Sequence, residues 1–140
     1  MKRLLFIAMV ITGMVSACSK TRPNRVEDLL TGSGWRITNM IGDNENISYF
    51  FAPYTMKFDE EGSVVVSDGE HLFNGTWSVF KENIDEEGGK ETVLKLEFSN
   101  ESSFSELNYS WEITSLTETR IDAQHLNYKG GTDQLTMIKK

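Results

Sequence analysis

Cysteine is almost absent from this chain. Cys18 is the only one in 140 residues, so no intrachain disulfide can form in any compartment. Histidine is nearly as scarce. His71 and His125 are the only two, neither has a second histidine or a cysteine at ligand spacing, and a zinc-type site is not expected. Basic residues are outnumbered, 14 against 21 acidic ones, for a formal charge of −7. Such an acidic chain is a poor partner for nucleic acid or an anionic lipid surface. No Gly-x-Ser-x-Gly elbow occurs, and no lysine follows Gly32-Ser33-Gly34 at the spacing of a phosphate-cradling loop. Asp43-Asn44-Glu45-Asn46 offers oxygen ligands but lacks the alternating spacing and central glycine of a calcium loop. These absences predict a protein that is not an enzyme and takes no metal or cofactor.

What is present begins at the first residue. Met1 to Cys18 reads MKRLLFIAMVITGMVSAC, a basic start at Lys2 and Arg3, an apolar run from Leu4 to Ile11, then small residues. That layout is a secretory leader, too short and wrongly flanked for a membrane-spanning helix. Val15-Ser16-Ala17-Cys18 resembles the bacterial lipobox, at which the leader is cut before a cysteine that receives lipid. An ordinary cut at Ala17, leaving Cys18 free, is the alternative. A lone thiol in an exported protein favours lipidation, because acyl chains anchor by burying methylenes and two or more hold stably. The expected organisation is a lipoprotein signal peptide at 1–17, the lipidated cysteine and a polar tether at 18–24, and one domain at 25–140. Ser19-Lys20-Thr21-Arg22 carries no acidic run of the kind that sends some lipoproteins to the cell surface. The expected location is therefore the bacterial cell envelope, at the outer membrane and facing the periplasm.

The domain opens on a brief helical pattern. Asn24 is the expected cap, Glu27 its reciprocal partner, Val26, Leu29 and Leu30 the apolar side and Gly32 the stop. From Trp35 the period switches to two. Trp35, Ile37 and Asn39 share a parity, followed by Met56 with Phe58, Val64 with Val66, and Phe73, Trp77 and Val79 across Gly75. Leu94, Leu96 and Phe98 come next, then Leu107, Tyr109, Trp111 and Ile113, then Ile121, Ala123 and His125, then Leu135 with Met137. One apolar and one polar face per strand is the mark of antiparallel sheet around a single core. The separators are short and rich in Gly and Asp, and no interior helix interrupts them. The expected fold is all-β: about eight antiparallel strands closed as an up-and-down barrel, with a two-sheet sandwich as the alternative.

One connection is longer. Gly42 to Pro53 begins polar and ends in Tyr49, Phe50, Phe51 and Pro53. Long loops in small domains are often functional, and this one is expected to be a lid over a barrel mouth, a partner-binding patch, or rings folded back onto the core. The strand parities aim Trp35, Phe58, Trp77, Phe98, Tyr109 and Trp111 at one interior, either as a solid core or as the lining of a cavity. His125 shares an inward parity, whereas His71 beside the Asp68-Gly69-Glu70 turn is expected at the surface.

Several segments together resemble a family. A short helix ending in Leu29-Leu30, then a glycine and Trp35 opening the first strand, resembles the small lipocalin-like lipoproteins common in Bacteroidetes. Phe58-Asp59-Glu60-Glu61-Gly62, Asn74-Gly75-Thr76-Trp77 and Trp111-Glu112-Ile113-Thr114-Ser115-Leu116 extend the likeness over nearly the whole domain. Lipocalins carry Gly-x-Trp at the first strand. Here Gly32-Ser33-Gly34-Trp35 is one residue longer, and Trp35 is the expected base-closing ring. The resemblance implies a barrel with an internal cavity for a small apolar or amphipathic molecule. Trp77, Phe98, Tyr109, Trp111 and His125 are its candidate lining, and Tyr49, Phe50 and Phe51 its gate. The alternative is a filled barrel acting through its aromatic loop, as an envelope protein-interaction module or an enzyme inhibitor; the membrane itself is met through lipid on Cys18.

Overall fold

The apolar alternation becomes eight antiparallel barrel strands in sequence order. The computed structural model describes residues 22–83 and 89–140; the leader, Cys18 and most of the tether lie outside the described residues. Helix α1 (Pro23–Thr31) leads into β1 (Gly34–Gly42), a two-residue β2 (Glu45–Asn46), a single helical turn α2 (Ser48–Phe51), β3 (Thr55–Phe58), β4 (Ser63–Ser67) and β5 (Leu72–Asn83). Then come β6 (Lys90–Phe98), a 3-10 helix (Ser103–Leu107), β7 (Ser110–Leu116), β8 (Arg120–Leu126) and β9 (Thr132–Lys139). Each barrel strand pairs with the next, and β9 returns to β1 from Trp35↔Lys139 to Ile41↔Gln134. That last ladder closes the sheet and makes it a barrel, not a sandwich, leaving no open edge between β1 and β9.

Up-and-down order sorts the connections between two ends. The base carries α1, the Asp59–Gly62 turn, the Thr117–Thr119 turn and the chain end. The mouth carries β2 with α2, the Asp68–His71 turn, the 3-10 helix and the Asn127–Gly131 turn. Short α1 holds because Val26 and Leu30 are fully buried against the barrel, as a two-turn helix requires. Its start differs from the expected cap. Arg22 is the N-cap and makes no side-chain cap bond, with Pro23 at the first helical position and Asn24 inside the first turn. Proline suits that position because its missing N–H has no partner there anyway. Gly32 ends the helix as expected, its N–H donating to the Asp28 carbonyl at 3.2 Å.

A bulge in β1 also corrects the expected parity. The register with β9 shifts between Ile37 and Asn39, so Met40, at 1% exposure, takes the inward place. Asn39 is only half-buried. One extra residue swaps the faces beyond it. Leu107, expected within a strand, is instead the buried end of the 3-10 helix. Gly42 to Pro53 is not a plain loop either. Asp43 and Asn44, at φ 50° and 65°, make the tight turn of a β1–β2 hairpin, a backbone region that Asn and Asp tolerate.

Candidate functional site

Two short elements close the mouth. Ser48 pins α2 to the end of β1: its hydroxyl accepts the Met40 N–H at 2.7 Å, and the Ile47 N–H donates to the Met40 carbonyl at 2.9 Å. This fixes Phe51 inward, at 1% exposure, while Phe50 is 38% exposed and Tyr49 77%. From the other side, the Ser102 hydroxyl caps the 3-10 helix by accepting the Phe104 N–H at 3.1 Å. Phe104 is thereby driven fully into the mouth. Its ring centroid lies 4.9 Å from that of Tyr54, 5.0 Å from Phe73, 5.4 Å from Phe51 and 5.5 Å from Phe98. Edge-to-face and tilted contacts at these distances are favourable beyond simple area burial. Phe104 is the plug.

Beneath the plug the barrel is filled. Trp35, Met56, Val64, Leu94, Leu96, Trp111 and Met137 are all fully buried in one continuous core. Trp35 sits at the base, its indole N–H donating to the Leu29 carbonyl of α1 at 3.2 Å. The expected lining does not converge on one space. Trp77 stands near the base against Phe58, with ring centroids 5.5 Å apart, and donates to the Asp59 carbonyl at 3.0 Å. Phe98 lies under Phe104. Trp111 is buried and donates to the Leu107 carbonyl at 3.0 Å. Tyr109, Trp111 and His125 do come together: Tyr109 and His125 stack with centroids 4.2 Å apart, and Trp111 is 6.0 Å from His125. His71 is exposed and bonds Asp68 across its own turn at 3.1 Å.

Phe98, Tyr109 and His125 border one open depression together with Lys95 and Asn108, and a second space lies just outside the plug. A cleft of about 360 Å³ opens at the mouth between the β1–β2 hairpin, α2 and the 3-10 helix, walled by Tyr49, Phe50, Phe51 and Tyr109. Met40 and Ile47 add apolar surface, and Asp133 and Glu106 add carboxylates. Asp133 is 3% exposed. Its Oδ1 accepts the Asp43 N–H at 3.1 Å and the Asn127 amide at 2.9 Å, tying the β1–β2 turn to the β8–β9 turn. Partial burial pushes the Tyr109 phenol above its ordinary range, and the charges of Asp133, Glu106 and Asp43 push it the same way. The cleft is thus aromatic on its walls and negative in its field.

Tyr49, Phe50, Phe51 and Tyr109 were legible in the sequence as candidates. Asp133, Glu106 and Phe104 were not. Asp133 follows the Lys129-Gly130-Gly131 turn and looks like an ordinary polar strand residue. For Phe104 a signal existed: Ser102 two residues before an apolar ring, in a segment of serines, is a capped turn.

The mouth also gathers the exposed apolar surface. Tyr49, Phe50, Leu72, Leu126 and Tyr128 are the exposed large hydrophobics among the described residues, and all five stand on or beside mouth connections. Among the described residues no helix is long and apolar enough to cross a membrane. A comparison with protein-family models finds no match, and neither does a comparison with curated proteins.

Proposed function

We propose that this chain is a lipid-anchored protein of the bacterial cell envelope, of the lipocalin-like lipoprotein kind, and that its barrel is a scaffold presenting a mouth cleft to a small amphipathic molecule. The leader pattern ending in Val15-Ser16-Ala17-Cys18 supports the anchoring, at the outer membrane and facing the periplasm. The observation that carries the binding reading is the cleft beneath Tyr49, Phe50 and Phe51, above a barrel whose interior is already filled. Binding sites of this type pair apolar walls with a few convergent polar groups. The ligand is therefore held at the mouth, against Tyr109 and α2, instead of inside the barrel as the family resemblance implies. Catalysis is not part of this reading.

Native mass spectrometry on the protein purified gently from its own envelope tests it. A co-purifying small molecule that leaves on denaturation is the expected result. Replacing Phe50 with Ala should weaken its retention. An empty protein would overturn the reading, and a second one would gain. The exposed Tyr49, Phe50, Leu126 and Tyr128 on one rim favour contact with an envelope protein, which would then travel with the empty domain. Anchoring has its own test: Cys18→Ser should abolish fatty-acid labelling and release the protein from the membrane fraction.

A further inference from the structure

The chemistry of the mouth cleft narrows its ligand, on the reading that the cleft binds one. Asp43, Glu45, Glu106 and Asp133 line it, and no lysine, arginine or histidine does. Lys129 on the rim pairs with one of these carboxylates, Asp43, Nζ to Oδ2 at 3.3 Å, and lies over the Tyr128 ring. Three carboxylates remain without a basic partner among the described residues.

Asp133 differs from the others. It is almost wholly buried, yet it forms part of the cleft wall. Both of its hydrogen bonds arrive at Oδ1, and Oδ2 accepts none from the described residues. Oδ2 is thus the atom that the cleft leaves open to a donor, and a charged donor is favoured there, since a charge-assisted hydrogen bond is roughly twice as strong as a neutral one. The rings of Tyr109, Phe50 and Tyr49 line the same cleft. Aromatic faces attract a cation through their quadrupole and also accept an apolar body.

We propose that the mouth cleft selects an organic cation: an amine carried on an aromatic or short apolar body, its ammonium donating to Asp133 Oδ2 and its body lying against Tyr109 and Phe50. An anion of the same shape meets uncompensated like charge and is excluded. A neutral analogue keeps the apolar contacts and loses the charge-assisted bond. The selectivity lies in the carboxylates and the retention in the rings.

Equilibrium dialysis of the full chain in neutral phosphatidylcholine nanodiscs, with empty nanodiscs subtracted, tests this with three probes of one shape: naphthylethylamine, naphthylethanol and naphthylacetate. The amine should bind about tenfold tighter than the alcohol, with the acetate weakest. Asp133→Asn should bring the amine down to the level of the alcohol. Because Asp133 also holds two turns together, that variant is checked by circular dichroism. If it does not fold, the Glu45→Gln/Glu106→Gln double variant of exposed residues should cut the preference about threefold. Equal binding of amine and alcohol, or a preference that survives in the folded variant, overturns the cation selectivity and leaves the cleft a binding site. Failure of all three probes to bind overturns both.

Discussion

Asn108 completes a strand for Phe98 with its side chain. Its Oδ1 accepts the Phe98 N–H at 2.6 Å, and its Nδ2 donates to the Phe98 carbonyl at 2.9 Å. The β6–β7 ladder pairs only Val93 to Lys95, so the end of β6 would otherwise leave these backbone groups unpaired at the mouth. One amide does the work of a neighbouring residue's peptide. Asn108→Ala should cost about 1–3 kcal/mol by orphaning both groups. Asn108→Asp keeps the acceptor but sets a carboxylate oxygen against the Phe98 carbonyl, and should cost at least as much as alanine. Urea unfolding of the three proteins gives the order.

Phe104 and Phe50 separate plug from wall. Phe104 is fully buried among five rings, whereas Phe50 is 38% exposed. Phe104→Ala should cost about 3–5 kcal/mol, as a large-to-small change in a packed core does. Phe50→Ala should cost about 1 kcal/mol or less, with its main effect on ligand retention. A loss at Phe50 as large as that at Phe104 would place the ring in the core and remove it from the cleft.

Gly75 is required by Phe98. A Cβ on Gly75 would lie 2.6 Å from Phe98 Cδ1 and 2.7 Å from the Glu97 carbonyl oxygen. The ring cannot simply turn away, because it is held under Phe104, and the carbonyl is backbone. Gly75→Ala should therefore destabilise the barrel by about 1–3 kcal/mol, read as a lower urea midpoint. An unchanged midpoint would show that Phe98 has a second seat.

Tyr109 predicts a response to alkali. Its folded phenol holds its proton above the ordinary value of 10, so the unfolded chain ionises first. Stability from this group is fully present below about pH 10 and is lost as pH rises through the folded value. Spectrophotometric titration should show a tyrosine ionising above the ordinary phenol range, and Tyr109→Phe should remove it. The variant should also lose less stability than the wild type over the same alkaline range.

The strands were legible because a half-buried strand writes its two faces into the sequence at period two. Met56 with Phe58, Val64 with Val66, and Leu94, Leu96 and Phe98 all turned out buried as their parity demanded. Strand count and short turns favoured closure without excluding a sandwich, and the β1–β9 ladder decides between them. Asn39 misled because a bulge leaves no compositional trace, and a single inserted residue hands the inward place to Met40. The plug was hidden for a different reason. Phe104 acts through contacts with Tyr54, Phe73 and Phe98, residues distant in sequence, and no local period announces a ring that fills a hole made by others. The cleft was half-visible: Tyr49 to Phe51 stood out as a cluster, while Asp133 acquires its character only when the Asp43 turn folds over it.

The sorting of connections between two ends has a consequence for supply. The described chain starts on the base side, through α1, and every exposed ring lies at the far end. A protein moored through residues ahead of α1 turns its cleft away from its own mooring. Cargo would then arrive from the aqueous side, or from a surface opposite, and not by sideways capture out of the bilayer that holds the anchor. On the proposed anchoring through Cys18, the length of the barrel would set how far the mouth stands from the membrane.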